Sequence, residues 1–129
     1  MVQTTGSAFI NIWKIEPSRR DEFLAAFNGL WTRFVDVMDR DTNFVFYGWG
    51  REPDELIIME SWKSEEATNA VRAMPVFQEA LATMLDCSSQ PMTVQIVTGL
   101  DSDRSVFDLY PAGKSHFHPS GEDVGSIFL

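Results

Sequence analysis

Apolar positions along this chain switch between two periods, and the order of the switches predicts its architecture. Residues 8–15 are apolar almost throughout, interrupted only by Asn11 and Lys14, a pattern that predicts a strand covered on both faces. Alternation places Phe9, Asn11, Trp13 and Ile15 on one face and Ile10, Ile12 and Lys14 on the other. Pro17 ends the run, and Ser18 with Asp21 three residues later predicts a helix start. The spacing then becomes helical. Phe23, Phe27, Leu30, Phe34 and Met38 form one stripe, with Leu24, Trp31 and Val35 beside it, and the helix is expected to reach about Asp39. Arg19, Arg20, Asp21, Glu22, Arg33 and Asp36 supply its wet face. Gly29 in mid-helix costs roughly 1 kcal/mol against Ala and predicts a close neighbour that excludes a side chain.

Strand-like segments return at 44–50 and 56–62, joined by a turn at Glu52-Pro53-Asp54. Ser64 is placed to cap a short helix, with Glu65 and Glu66 favourably set against its dipole. Pro75 breaks that helix and opens another, whose buried stripe is expected to be Phe77, Leu81, Met84 and Leu85. Residues 91–98 are again β-branched and apolar. The order β-α-β-β-α-β is that of an α+β, ferredoxin-like unit. Such a sheet carries helices on one face only, whereas these strands are apolar on both. A second copy of the chain is the expected cover for the bare face, which makes the assembly a dimeric α/β barrel. After Gly99 the composition turns to Gly, Pro, Ser and His. One domain is therefore expected over residues 1–100, and residues 101–129 form a C-terminal extension or arm, with a short strand at 106–110.

Composition narrows the function classes. Ten Phe, four Trp and six Met are a heavy apolar load for 129 residues, which favours a dimer, a roomy apolar pocket, or both. A net charge of −9 repels polyanions, so neither nucleic acid nor an anionic membrane is an expected partner. The single cysteine, Cys87, permits no internal disulfide, and the N-terminus has no basic, apolar signal, so a cytoplasmic location is expected. Cys87 has no cationic sequence neighbour to activate it as a nucleophile. His116 and His118 could grip a metal, but no Cys, Asp or third His lies near them in sequence to complete a set, and no metal is expected. No Gly-rich phosphate loop supports a nucleotide.

The stretch Met59-Glu60-Ser61-Trp62-Lys63-Ser64-Glu65-Glu66-Ala67, followed by Pro75-Val76-Phe77-Gln78-Glu79-Ala80-Leu81, resembles the antibiotic biosynthesis monooxygenase family. The resemblance covers residues 8–100, and Glu16-Pro17 with the charged turn before Phe23 belongs to it. It implies a homodimeric α/β barrel. It also implies one of the family's activities: cofactor-free oxygenation of polyphenols or quinols, or haem degradation. The haem-degrading branch uses an Asn on the first strand, matched by Asn11, and a Trp and a His whose positions hold Val71 and Leu81 here. The polyketide-oxidising branch uses Asn, Trp, Tyr and Arg at positions that hold Ile58, Trp62, Thr68 and Gln78. Only Asn11 and Trp62 keep a family residue.

The leading expectation is a monooxygenase without cofactor, acting on a small aromatic, polyphenolic or quinol substrate. The alternatives are a non-catalytic small-molecule-binding or regulatory barrel and a haem-degrading oxygenase. Asn11 and Trp62 are the candidate catalytic residues. Phe9, Trp13, Phe27, Trp31, Phe34, Tyr47 and Arg72 are candidates for the pocket, expected between the sheet and the long helix. Glu60 shares Trp62's face and could serve as a base if desolvated, although an ion pair is the more ordinary role for such a residue.

Overall fold

The computed structural model describes residues 6–100. The strand expected at 106–110, the arm over 101–129, and His116 and His118 lie outside the described residues. The elements are β1 (Ser7–Lys14), α1 (Arg20–Asp41), β2 (Thr42–Trp49), β3 (Glu55–Trp62), α2 (Glu65–Arg72), α3 (Pro75–Asp86) and β4 (Thr93–Thr98). The strands form one antiparallel sheet in the order β2-β3-β1-β4, the ferredoxin-like arrangement. In the register, Asn11 stands opposite Ile58 on β3 and Val94 on β4, and Phe9 stands opposite Glu60 and Ile96. Alternation therefore turns Phe9, Asn11, Trp13, Ile58 and Glu60 to a common face.

Local chemistry explains most element boundaries. Ser64 accepts a hydrogen bond from the Ala67 amide at 3.1 Å and caps α2, whose first turn carries Glu65 and Glu66. Pro75 stands at the first turn of α3, where its missing N–H costs nothing. Asp54 takes a left-handed conformation, φ 58°, in the turn before β3. Asp is among the residues that tolerate that region best. The Asp54 carbonyl accepts from the Ile15 amide at 2.9 Å, and its carboxylate binds Arg20.

Three expectations are corrected. Ser18 does not cap α1: Pro17–Arg19 forms a tight 3₁₀ turn ahead of the helix, and α1 starts at Arg20 without a side-chain cap. The proline sets that turn, so Ser18 falls inside it, and its hydroxyl donates to the Glu16 carboxylate at 3.4 Å. Gly29 has no close neighbour. It lies on the exposed side of α1, and no described atom stands within 4 Å of where its Cβ would be. Leu85 is exposed rather than buried. The inward stripe of α3 runs through Leu81 and Met84 and ends at the fully buried Cys87, and Leu85 lies to one side of it, about 100° around the axis from Met84.

The core is divided. One cluster gathers Trp13, Ile15, Phe23, Leu56, Ile58, Met84 and Cys87, and the other gathers Phe34, Met38 and Val71. On the opposite face of the sheet Phe44, Phe46, Met59 and Val97 are exposed around the half-buried Ile10 and Ile12. Among the described residues, no helix is long and apolar enough to cross a membrane.

Candidate functional site

The sheet and the helices enclose a cavity of about 530 Å³, bordered by members of both core clusters. Its roof is the inner stripe of α1, with Phe27, Leu30, Phe34 and Met38, and its floor is the helix-facing row of β1, with Phe9, Asn11 and Trp13. β3 adds Ile58, Glu60 and Trp62, α2 adds Thr68, Val71 and Arg72, and α3 adds Phe77, Gln78 and Leu81. Val94 and Ile96 of β4 border it at the edge of the sheet, where both remain exposed. The volume is within the usual range for a small-molecule site, and the wall is mostly apolar with a few polar groups, as such sites are.

Those polar groups are placed by strand alternation and are poorly satisfied within the protein. The Asn11 side chain lines the cavity and makes no hydrogen bond among the described residues. Trp13 is 3% exposed, and its indole N–H is buried without an acceptor among the described residues. The buried indole N–H of Trp62 likewise makes no hydrogen bond of ordinary geometry. Buried donors are paired in the great majority of cases, so donors left over around one cavity mark it as a place for something polar.

Tyr47 has a settled role. Its ring stands edge-on to Phe27 at 4.9 Å and to Trp31 at 5.4 Å, and its hydroxyl donates to the Met38 sulfur at 3.3 Å. Burial, reinforced by the negative charge of Glu60, pushes the Tyr47 hydroxyl up to about 12. It is a neutral donor at ordinary pH. Glu60 has its carboxyl raised above the usual carboxylate range by desolvation, while the Trp62 indole and the Arg72 charge oppose the shift. The Arg72 guanidinium lies over the Phe9 ring at 5.1 Å, a cation–π contact that steers an otherwise exposed side chain toward the cavity.

The structure thus gathers Phe9, Asn11, Trp13, Phe27, Phe34, Tyr47, Trp62 and Arg72 around one space. Trp31 does not border it and packs instead against Tyr47, because it lies off the inward stripe of α1. Sequence reasoning did not single out the aliphatic and thioether part of the wall, Leu30, Met38, Met84 and Met92. The helical stripe already carried Leu30 and Met38, but nothing local separates a cavity wall from a packed core. Val71 and Leu81, together with Ile58, Thr68 and Gln78, stand where the family resemblance places functional groups, and all of them line the cavity.

A ferredoxin-like α+β sandwich with an aromatic-walled cavity between sheet and helices defines the structural class. The profile of the antibiotic biosynthesis monooxygenase family matches residues 8–83, and the chain belongs to that family. Solved structures share the fold. A conserved protein from Methanosarcina mazei Go1 aligns with a TM-score of 0.65 at 14% identity, over 74% of this chain and 94% of its own. A Mycobacterium tuberculosis protein aligns with a TM-score of 0.63 at 19% identity, over 74% and 95%. SnoaB, a cofactor-independent oxygenase from Streptomyces nogalater, aligns with a TM-score of 0.59 at 15% identity, over 72% and 91%. No curated protein matches the chain at a significant level.

Proposed function

We propose that this protein is a cofactor-independent monooxygenase that oxidises a small electron-rich aromatic, a polyphenol or quinol, bound in the cavity between sheet and helices. The observation that carries the reading is an aromatic-walled cavity of about 530 Å³ whose floor presents the Asn11 amide, which has no hydrogen-bond partner among the described residues. Flat rings gain edge and face contacts from Phe9, Phe27 and Phe34, and the amide directs one substrate oxygen. The Trp62 N–H is a second donor for an oxygen in the same space. SnoaB, with the same fold, is a cofactor-independent oxygenase, which supports the reaction class.

The chemistry needs little from the protein. Loss of a proton makes the aromatic an electron-rich anion, which forms a C–O bond to O₂ and becomes a peroxide anion. Protonation gives the hydroperoxide. The O–O bond then breaks as the same carbon loses its remaining hydrogen, leaving a carbonyl on the substrate and one water. All electrons that reduce O₂ come from the substrate. The protein's part is to bind, orient and exclude bulk water. A haem reading does not fit this cavity: Leu81 and Val71 stand where the haem-degrading branch has its His and Trp.

The active form is a homodimer, with the bare apolar face of the sheet as its interface. This reading is supported by the exposed Phe44, Phe46, Met59 and Val97. The substrate test is oxygen uptake with 1,4-dihydroxynaphthalene under labelled O₂. The expected result is uptake above the buffer rate, with one labelled atom in a hydroxynaphthoquinone product and the other in water. A panel of quinols and polyphenols that bind but give no uptake above buffer would make this a binding barrel and not an oxygenase.

A further inference from the structure

We propose that Glu60 is the proton acceptor of the site: its carboxylate receives the hydroxyl proton of the bound aromatic, and the Arg72 guanidinium faces the anion that results. This rests on the reading that the cavity takes a hydroxylated aromatic. Glu60 sits in the middle of β3, an inner strand, opposite Phe9 of β1 and Val45 of β2. Alternation turns its side chain to the helix-covered face, and it lines the cavity. An inward-facing carboxylate on an inner strand is ordinarily paired. Glu60 is in no ion pair: those among the described residues engage Glu22, Glu52, Asp54, Glu55, Asp41 and Asp86, and the donor beside its carboxylate is the neutral Trp62 indole.

The surroundings of Glu60 are those of a base. From α2, Arg72 reaches over the Phe9 ring, the cross-strand neighbour of Glu60, yet forms no ion pair with it. Acid and cation therefore share one end of the cavity without forming an ion pair, the Arg72 charge only partly offsetting the burial of the carboxylate. From β2 comes the hydroxyl of Tyr47, which stays protonated. From α1 the wall is Phe27, Leu30, Phe34 and Met38, and α3 contributes the neutral Gln78, so neither adds a charge to the wall. Burial in this apolar setting raises the proton affinity of the carboxylate, which narrows its gap to a phenolic hydroxyl of pKa about 10. The step balances simply. The substrate O–H bond breaks and an O–H bond forms at the carboxyl, no electrons are transferred, and the proton is then available to the peroxide oxygen.

The test compares wild type, Glu60→Gln and Glu60→Asp in two measurements. First, 1-naphthol is titrated under nitrogen by quenching of tryptophan fluorescence, since Trp13 and Trp62 line the cavity. A phenol that donates to a carboxylate should bind more tightly as pH rises through the titration of Glu60, and Glu60→Gln should abolish that dependence. Second, turnover of 1,4-dihydroxynaphthalene should fall at least about 100-fold in Glu60→Gln, with the acid limb of the kcat/KM profile lost and partial rescue by Glu60→Asp. Wild-type pH dependence in Glu60→Gln, in either measurement, overturns the assignment while leaving the oxygenase reading intact. If wild type turns over no quinol, the oxygenase reading falls and the naphthol titration alone decides: a dependence lost in Glu60→Gln supports Glu60 as the acceptor, and a flat wild-type profile overturns it.

Discussion

Both faces of the sheet are built from large apolar side chains, yet they present different chemistry. The helix-covered face sets Asn11, Tyr47, Glu60 and Trp62 among its rings. The centre of the opposite face is Ile10, Ile12, Ile57 and Met59, with Phe46 beside Met59 on the edge strand β2, and the polar side chains Gln95 and Thr93 stand across from Ile10 and Ile12 on the exposed edge strand β4. Directed polar groups in an apolar wall give orientation and specificity to a small ligand. A wall whose centre is aliphatic, with polar side chains on an exposed edge strand, can be covered there by an apolar surface of matching shape. One strand alternation therefore supplies a binding site on one side and, as we read it, a subunit interface on the other.

The comparison breaks most readily on the bare face. Phe46 is 60% exposed on that face, on the edge strand β2 beside Met59, and Phe46→Asp places a charge where two sheets should meet. An apolar interface burying roughly 2,000 Å² would not tolerate it. Light scattering should show the mass falling to that of one 14.6 kDa chain, and a dimer unaffected by this variant would remove the interface from that face.

Asn11→Leu addresses the other side. The amide has no partner within the described protein, so the melting temperature should barely move while affinity or turnover for the aromatic falls about tenfold or more, about 1.4 kcal/mol. A stability loss of about 1–3 kcal/mol with unchanged ligand behaviour would instead make Asn11 a structural tie.

Glu60 gives a smaller effect with a defined sign. Its carboxyl is raised above the ordinary value of 4.5 by burial, so the folded state holds the proton more tightly than the unfolded chain. The stability linked to that proton is complete below the unfolded pKa and is lost as pH rises through the folded one. Glu60→Gln should therefore raise the melting temperature at neutral pH, with the gain fading below about pH 4.5. A melting temperature unchanged or lowered at neutral pH would show that the carboxylate is not held at a cost. Least of all, Gly29→Ala fills open space on the outside of α1 and should add about 0.5–1 kcal/mol in denaturant unfolding. A loss there would reveal a neighbour beyond the described residues.

Much of this was legible along the chain because it depends on period alone. The shared face of Phe9, Asn11 and Trp13 needs only alternation, and the stripe from Phe23 to Met38 needs only helical spacing. Ser64 and Pro75 announced their roles through local backbone chemistry. The errors arose where two local signals competed. At Ser18 the capping pattern was overridden by the turn that Pro17 imposes. At Leu85 the stripe was one residue too wide, since Met84 and Cys87 already fill the inward positions. Trp31 falls outside the cavity wall, packed behind Tyr47, and helical spacing does not distinguish such a residue from one lining the cavity.

The sequence by itself determined the order of elements, the inward and outward rows of each strand, and the family resemblance carried by residues 59–67 and 75–81. These follow from propensity and period, which act over a few residues. Only the tertiary structure decided that the core divides in two and leaves a cavity between the parts. Only it showed that Asn11 has no partner among the described residues, or that Arg72 on α2 comes over the ring of Phe9 on β1. Whether a polar side chain is satisfied, and whether two side chains meet, depends on residues tens of positions apart. Those distances are set by how the layers pack.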